Sequence, residues 1–255
     1  MGDWHVVDGR AGPLRVYAAP GGPPAPAARA GTPPRIVLLC HELPRDPAPP
    51  TEVGRGYPAL ADRLAEECGC RVVAPMLRGA GGSAGDFSAA GWLADLLAVL
   101  ESEAGSRGTA TVVGFGFGGA IALRAAVQDQ RVAAVASIAG PAQLHGWIAN
   151  RDKVLERCRR SGVISSAGYP HDVDAWAEEI VSLAPLDAAG ALGARPLLVV
   201  HGSDDSEVPV AAARAVADAA LEGPVDLRIV PGAGHWLRAD PRVVATLIGW
   251  IERHR

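Results

Sequence analysis

The chain alternates short apolar runs with segments of helical spacing, and this alternation restricts the fold more than any other feature. Continuous apolar runs such as RIVLLC (35–40), RVVAPM (71–76) and RPLLVVHG (195–202) are typical of strands buried on both faces. Amphipathic stretches such as YPALADRLAEEC (57–68) separate them. Because strands that alternate with helices form a mainly parallel sheet covered on both faces, the sequence predicts the α/β class.

One long stretch interrupts this alternation. It contains two helical segments, at 146–162 and 173–184, and no convincing strand. We interpret residues 141–192 as a small helical cap that is inserted into a core formed by residues 1–140 and 193–255. A length of 255 residues is sufficient for one large core with such an insertion.

Composition and charge argue against several classes of protein. Apolar residues make up 49% of the chain and charged residues 20%, which indicates a substantial core. The net charge is −4 without a basic run, so we expect no nucleic-acid partner. No apolar stretch reaches the roughly 20 residues that span a bilayer, and the sequence MGDWHVVDGR has no apolar signal region. We therefore expect a cytoplasmic protein without a membrane partner. The four cysteines lack zinc-ligand spacing, and nothing in the sequence calls for a metal or cofactor.

The segment VVGFGFGG (112–119) has the pattern of a strand entering a tight glycine turn, and two templates fit it. The template G-x-G-x-x-G, matched by Gly114, Gly116 and Gly119, would bind a dinucleotide pyrophosphate. The template G-x-S-x-G presents a nucleophile and fits Gly114 to Gly118, except that its central residue is glycine. In a dinucleotide site the glycine turn also follows the first strand of its βαβ unit, and an acidic residue about 20 positions later binds the ribose. Several strands precede this turn, and the next strand ends without Asp or Glu, so NAD(H) binding is disfavoured.

Two later loops supply the partners that the second template requires. A nucleophile turn of this kind is followed in the chain by an acid and then by a histidine. The loop HGSDDSEVP follows one strand and contains two aspartates, while the loop PGAGHWL follows the next strand and contains a histidine. Because parallel strands present their carboxyl ends at one edge of a sheet, these loops can meet the glycine turn.

Together these motifs resemble the α/β-hydrolase superfamily, from about Arg35 to the C-terminus. HGSDDSEVP is similar to the acid loop of that family and places Asp205 at the acid position, with Asp204 as the alternative. GAGHWL is similar to its histidine loop and supplies His235, while LRGAGGSAGDFS is similar to a loop that many members carry before the nucleophile turn. The resemblance implies an α/β-hydrolase fold in which His235 is a general base that Asp205 orients.

Within the superfamily, the chain is most similar to serine hydrolases and dienelactone-hydrolase-like enzymes. GFGFGG (114–119) matches their nucleophile turns, and CHELP (40–44) is similar to the Q-E-I-F-G segment of the dienelactone branch. This resemblance implies that Glu42 lies beside the nucleophile as a second acid or base. It also implies an oxyanion hole formed by the amides of Leu43 and Phe117. A solvated loop carboxylate is the alternative for Glu42.

Glycine at position 116 departs from the family pattern, because it carries neither a hydroxyl nor a thiol. Acyl-enzyme chemistry through this residue is therefore excluded. Glycine tolerates positive φ, so we expect the turn itself to form. His235 and Asp205 would then activate water or move a proton on a bound substrate.

Three functions are compatible with these features. The first is an enzyme of hydrolase ancestry that acts on a small acyl compound (an ester, thioester or lactone) without a covalent intermediate. The second is a non-catalytic protein that binds a small molecule. The third is a serine or cysteine esterase whose nucleophile was replaced by glycine to trap substrate. The presence of both Asp205 and His235 favours the first.

Several other side chains are candidates for the site. Three of them, His41, Trp147 and Trp236, are expected to contact substrate. The alternative for His41 is hydrogen bonding to backbone groups, and the alternative for the two tryptophans is ordinary packing within the cap. We expect Ser83 and Ser88 to be hydroxyls that stabilise turns and Cys40 to pack as a small apolar side chain. A role as a displaced nucleophile is less favoured for all three. The cap arginines Arg157, Arg159 and Arg160 are interpreted as a solvated helix face.

Overall fold

The computed structural model of the chain describes residues 1–21, 35–44 and 56–254. The strands in these ranges are β1 (Asp3–Gly9), β2 (Gly12–Ala19), β3 (Arg35–Cys40), β4 (Arg71–Pro75), β5 (Thr109–Phe115), β6 (Val132–Ile138), β7 (Leu197–Gly202) and β8 (Val225–Val230). The helices are α1 (Gly56–Cys68), α2 (Ala89–Ala104), α3 (Phe117–Gln128), α4 (His145–Ala149), α5 (Arg151–Arg160), α6 (Val173–Val181), α7 (Pro185–Gly190), α8 (Val210–Ala219) and α9 (Pro241–Arg253). A single 3-10 turn covers Leu237–Ala239.

The eight strands form one sheet in the order β1-β2-β4-β3-β5-β6-β7-β8. The strands from β3 to β8 pair in parallel, while β2 pairs antiparallel with both β1 and β4. Every residue of β7 is buried, and so is every residue of β3 after the first, as their continuous apolar sequences predict. The predicted class, a mainly parallel α/β sheet, is confirmed.

Helices cover both faces of the sheet. On one face, α1 and α9 bury residues such as Leu64 and Trp250. On the other face, α2, α3 and α8 bury residues such as Trp92 and Ile121. Removing apolar surface from water contributes roughly 25 cal/mol per Å², so these two layers hold the sheet and the loops at its edge in place. No helix in the described ranges combines the length and the apolar character needed to cross a bilayer.

Four helices, α4 to α7, and no strand occupy residues 141–192, the stretch predicted to be a cap. Helices α4, α5 and α6 contact one another, and the Trp176 indole of α6 donates a hydrogen bond to the backbone carbonyl of Phe87 (3.0 Å). Helix α7 packs instead against α3 and α8 of the core. We therefore use the term cap helices for α4, α5 and α6 alone.

Candidate active site

Gly116 lies at a sharp turn between β5 and α3. Its backbone angles are φ 50° and ψ −123°, a region that glycine enters at little cost. Its N–H donates to the carbonyl oxygen of Ile138 (2.8 Å), and its own carbonyl accepts from the N–H of Gly119 (2.9 Å). A strand-to-helix turn of this geometry places residue 116 at the sheet edge where an exposed nucleophile would sit.

The glycines of this turn have different roles. A Cβ added at Gly114, Gly118 or Gly119 would approach a backbone or hydroxyl oxygen to 2.6 Å or less, so close packing requires glycine there. A Cβ at Gly116 would instead enter the site, 3.3 Å from Nε2 of His235. Residue 116 is therefore the position in this turn from which a side chain would face the histidine.

His235 and Asp205 form a hydrogen-bonded pair, with Nδ1 of the ring 2.8 Å from Oδ2 of the carboxylate. The Asp205 side chain is fully buried and also accepts hydrogen bonds from the N–H groups of Glu207 (2.8 Å) and Val208 (2.9 Å). Burial alone would raise the pKa of Asp205, but the bonds from Val208 and His235 outweigh it and lower the pKa. Asp205 therefore stays ionised and holds the ring with Nε2 directed at Gly116.

A second histidine shares this carboxylate. His201, at the end of β7, is fully buried, and its Nε2 lies 3.1 Å from Oδ2 of Asp205 and 2.9 Å from the carbonyl oxygen of Val208. The position of Asp205 is thus fixed by its own loop, by His201 and by His235. Nothing in the sequence distinguishes His201 as a site residue, because a histidine at the end of an apolar strand is usually structural.

Glu42 is buried at the end of β3, with 8% of its surface exposed, so its interpretation as a solvated loop carboxylate is wrong. Its Oε1 accepts a hydrogen bond from Arg238 (2.8 Å), and its backbone N–H donates to the hydroxyl of Tyr57 (3.1 Å). Burial raises the pKa of Glu42 to about 7, although the nearby Arg238 and His235 act to lower it. A Cβ at Gly116 would lie 3.1 Å from Cβ of Glu42, so this carboxyl group adjoins the glycine turn.

His41 does not contact the cavity, and its predicted substrate contact disagrees with the geometry. Its Nε2 accepts a hydrogen bond from the N–H of Leu77 (3.0 Å), and its Nδ1 donates to the carbonyl of Glu42 (3.0 Å). Burial lowers the pKa of His41 to about 4, so the ring is neutral and satisfies backbone groups. The ring packs edge-on against Trp92, with 4.6 Å between centroids.

Glu42 and His41 are expected to give opposite contributions to the pH dependence of stability. The pKa of Glu42 rises from 4.5 to about 7, so its contribution is present below pH 4.5 and is lost as the pH rises through 7. The pKa of His41 falls from 6.5 to about 4, so its contribution is present above pH 6.5 and is lost as the pH falls through 4. The two contributions largely cancel between pH 4.5 and 7.

The variant Glu42→Gln is expected to remove the contribution of Glu42 to the pH dependence of stability. Between pH 4.5 and 7.5, its free energy of unfolding should rise by about 3 kcal/mol relative to that of the unmodified protein. Urea unfolding of both proteins at the two pH values measures the change. Glu67→Gln, at an exposed position of α1, is the matched control and should keep a constant difference. A constant difference for Glu42→Gln as well would contradict the raised pKa.

Leu43 and Phe117, the residues predicted to supply oxyanion-hole amides, both lie beside the cavity. Phe117 is the first residue of α3, so its N–H has no acceptor inside the helix. Leu43 follows β3, and both residues line the cavity next to Gly116. Within the described part of the chain, neither N–H has a protein acceptor.

A cavity of about 280 Å³ lies over the glycine turn, between the core loops and the cap helices. The apolar part of its wall is formed by Leu43, Phe117, Pro141, Trp147, Val154 and Val208. The ring of Trp147, from α4, stacks on Phe117 with 5.1 Å between centroids, and Trp236 also lines the cavity. Its polar side chains include Glu42, Arg157, Glu207 and His235. Small-molecule sites are typically apolar clefts of this kind with a few converging polar groups.

The remaining sequence candidates lie away from the cavity. The hydroxyl of Ser83 donates to a backbone carbonyl, and Ser88 is the N-cap of α2. Cys40 is fully buried in the sheet, and burial raises the pKa of its thiol. Asp204 accepts a hydrogen bond from Ser203 (2.6 Å), whereas Asp205 is the aspartate that contacts His235. In the described ranges, no group of three or more His, Cys, Asp or Glu side chains is placed to hold a metal ion.

The glycine turn, the buried aspartate and the loop histidine at one sheet edge are the arrangement of an α/β hydrolase. The model of the alpha/beta hydrolase family matches residues 37–247. The chain therefore belongs to the alpha/beta hydrolase family, and the predicted fold is confirmed.

Solved structures with the same fold include several esterases and hydrolases. A thermophilic esterase from Thermogutta terrifontis, solved with malate bound, has a TM-score of 0.68 at 22% identity, over 99% of this chain and 100% of that one. XC6422 from Xanthomonas campestris, described as a serine hydrolase without a lid, has a TM-score of 0.61 at 23% identity, over 100% and 93%. Est1E from Butyrivibrio proteoclasticus has a TM-score of 0.69 at 17% identity, over 100% and 99%. No curated protein is significantly similar in sequence.

Proposed function

We propose that this protein hydrolyses small acyl compounds, such as esters, thioesters or lactones, by activating water directly. One observation above all supports the proposal: Nε2 of His235 lies 3.3 Å from the position of a Cβ at Gly116, while Nδ1 of the same ring is bonded to Asp205. A water oxygen in the space left by the missing side chain would lie within hydrogen-bond reach of this base. The family membership and the fold agree with hydrolase ancestry.

The proposed reaction follows from which groups of the site donate protons and which accept them. The ionised Asp205 binds Nδ1–H of His235, so Nε2 carries the lone pair that takes a proton from water. The water oxygen forms a bond with the carbonyl carbon, and the π electron pair moves to the carbonyl oxygen. The amides of Leu43 and Phe117 stabilise that negative charge. When the C–O or C–S bond to the leaving group breaks, the imidazolium returns the proton, and the products are an acid and an alcohol or thiol.

Glu42 supplies a second proton-carrying group. With a pKa of about 7, its carboxyl is partly protonated at neutral pH and can donate to a leaving group or accept from water. Arg238 holds its Oε1, which leaves Oε2 nearer the turn, 3.8 Å from the position of a Cβ at Gly116. This use of Glu42 agrees with the similarity of CHELP to the dienelactone-hydrolase-like branch.

Steady-state hydrolysis of short p-nitrophenyl esters tests the proposal. We expect slow turnover without an initial burst, and a loss of at least about 100-fold in His235→Ala, because general base catalysis typically contributes this much or more. His171→Ala removes an exposed histidine in the segment before α6 and should keep the full rate. Equal rates in His235→Ala and the unmodified protein would contradict the proposal. A complete lack of turnover, with ligand binding retained, would favour the non-catalytic binding protein.

A further inference from the structure

Arg157, on the cap helix α5, is half-buried and lines the cavity, and its Nε meets no acceptor among the described residues. This Nε is itself buried, and no carboxylate of the described residues pairs with it. Its helix neighbours behave differently, because Arg151 pairs with Asp174 and Arg159 donates to a backbone carbonyl. The interpretation of Arg157 as part of a solvated helix face is therefore wrong. A buried N–H without an acceptor is costly, which points to a ligand that supplies one to the Nε of Arg157.

The surroundings of Arg157 favour a ligand with a single negative charge. Apolar side chains, including Trp147 and Val154, form much of the cavity wall and strengthen electrostatic contacts inside it. Glu42 is already paired with Arg238, and Glu207 is a second carboxylate of the wall. A dianion such as a phosphate monoester would bring its second negative charge close to Glu207, whereas a carboxylate matches the planar fork of one guanidinium.

We propose that Arg157 binds a carboxylate of the substrate, so that the site takes acyl compounds bearing a carboxylate group. In this arrangement the charged end of the substrate lies against the cap, and its reacting carbonyl lies at the amides of Leu43 and Phe117. Trp147 and Phe117, which stack on each other, provide the apolar wall shared by both ends. The inference depends on the proposed function for the reaction, but binding of the carboxylate does not require turnover.

Binding of matched non-reacting ligands tests this assignment. Isothermal titration calorimetry compares benzoate with benzamide, and hexanoate with hexanamide, each pair having the same shape but different charge. We expect the carboxylates to bind about 10- to 100-fold more tightly, as hydrogen bonds to a charged group allow. Arg157→Gln should abolish this preference, and Arg157→Lys should keep part of it. Arg160→Gln removes an exposed arginine of the same helix and should leave the preference intact.

The outcomes separate this inference from the proposed function. Equal binding of carboxylate and amide by the unmodified protein would overturn the inference even if esters are hydrolysed. A preference that survives in Arg157→Gln would also overturn it, because another cation would then hold the carboxylate. Tighter binding of phenyl phosphate than of benzoate would overturn the choice of a carboxylate. If esters are not hydrolysed but the preference depends on Arg157, the proposed function fails and the inference stands. Thermal melts check that each variant is folded.

Discussion

Replacing Gly116 with serine is expected to give fast ester hydrolysis through an acyl-enzyme, with a burst of p-nitrophenol and a rate about 10³-fold above that of the unmodified protein. The reason is that Nε2 of His235 lies 3.3 Å from the position of a Cβ at residue 116, while Nδ1 of the same ring is bonded to Asp205, as the proposed mechanism requires. Removing the serine from a complete triad costs about 10⁶-fold, and the remaining groups still give roughly 10³–10⁴ over water. We expect only part of that factor, because a Cβ at this position requires Glu42 and His235 to move by a few tenths of an ångström.

Gly116→Ala is the matched control for this gain. It introduces the same Cβ at the same positive φ, with an expected strain of about 1–2 kcal/mol, but no nucleophile. Stopped-flow absorbance should therefore show a burst for serine and none for alanine. A serine variant that is folded but no faster than the alanine variant would contradict the view that the site lacks only its attacking atom.

Asp205→Asn is expected to lower both activity and stability. The amide presents N–H to Nδ1 of His235 and favours the wrong tautomer, an effect that reaches about 10⁴-fold in catalytic triads. It also removes the negative charge that accepts hydrogen bonds from His235 and from the N–H groups of Glu207 and Val208, and a hydrogen bond to a charged group is typically worth about 1.5–3 kcal/mol. Ester hydrolysis and urea unfolding at pH 7.5 measure the two effects separately.

The adjacent residue supplies the control for this prediction. Asp204→Asn changes the same side chain one position earlier, where the carboxylate contacts Ser203 and not His235. We expect its activity to stay within about twofold of the unmodified protein. If Asp204→Asn lost as much activity as Asp205→Asn, the assignment of the acid would be wrong.

Much of the fold follows from local sequence patterns. Runs such as RIVLLC and RPLLVVHG are apolar throughout because both faces of their strands are covered, and this feature is visible without the structure. The order of glycine turn, acid loop and histidine loop along the chain also predicts that Asp205 and His235 lie close together, since parallel strands bring such loops to one edge of the sheet. The structure places these two side chains in contact beside Gly116.

Other features depended on tertiary contacts that a local pattern does not contain. The pattern of apolar runs does not predict β1, which is an edge strand with mostly exposed or partly exposed residues. His41 and Glu42 are adjacent at a strand end, yet one faces backbone groups and the other adjoins the glycine turn. Arg157 lies among other arginines of a polar helix, and only the packing of the cap shows that it enters the cavity.

The link between Glu42 and Arg238 has a consequence for how such a site can change during evolution. Arg238 lies three residues after His235, pairs with a carboxylate almost two hundred positions earlier, and its guanidinium lies over the ring of Tyr57 at 4.9 Å. The histidine loop is thereby anchored to the opposite half of the chain by contacts that do not include residue 116. A substitution at residue 116 therefore leaves these contacts intact, so natural selection can act on that one codon independently of the loop that carries the histidine.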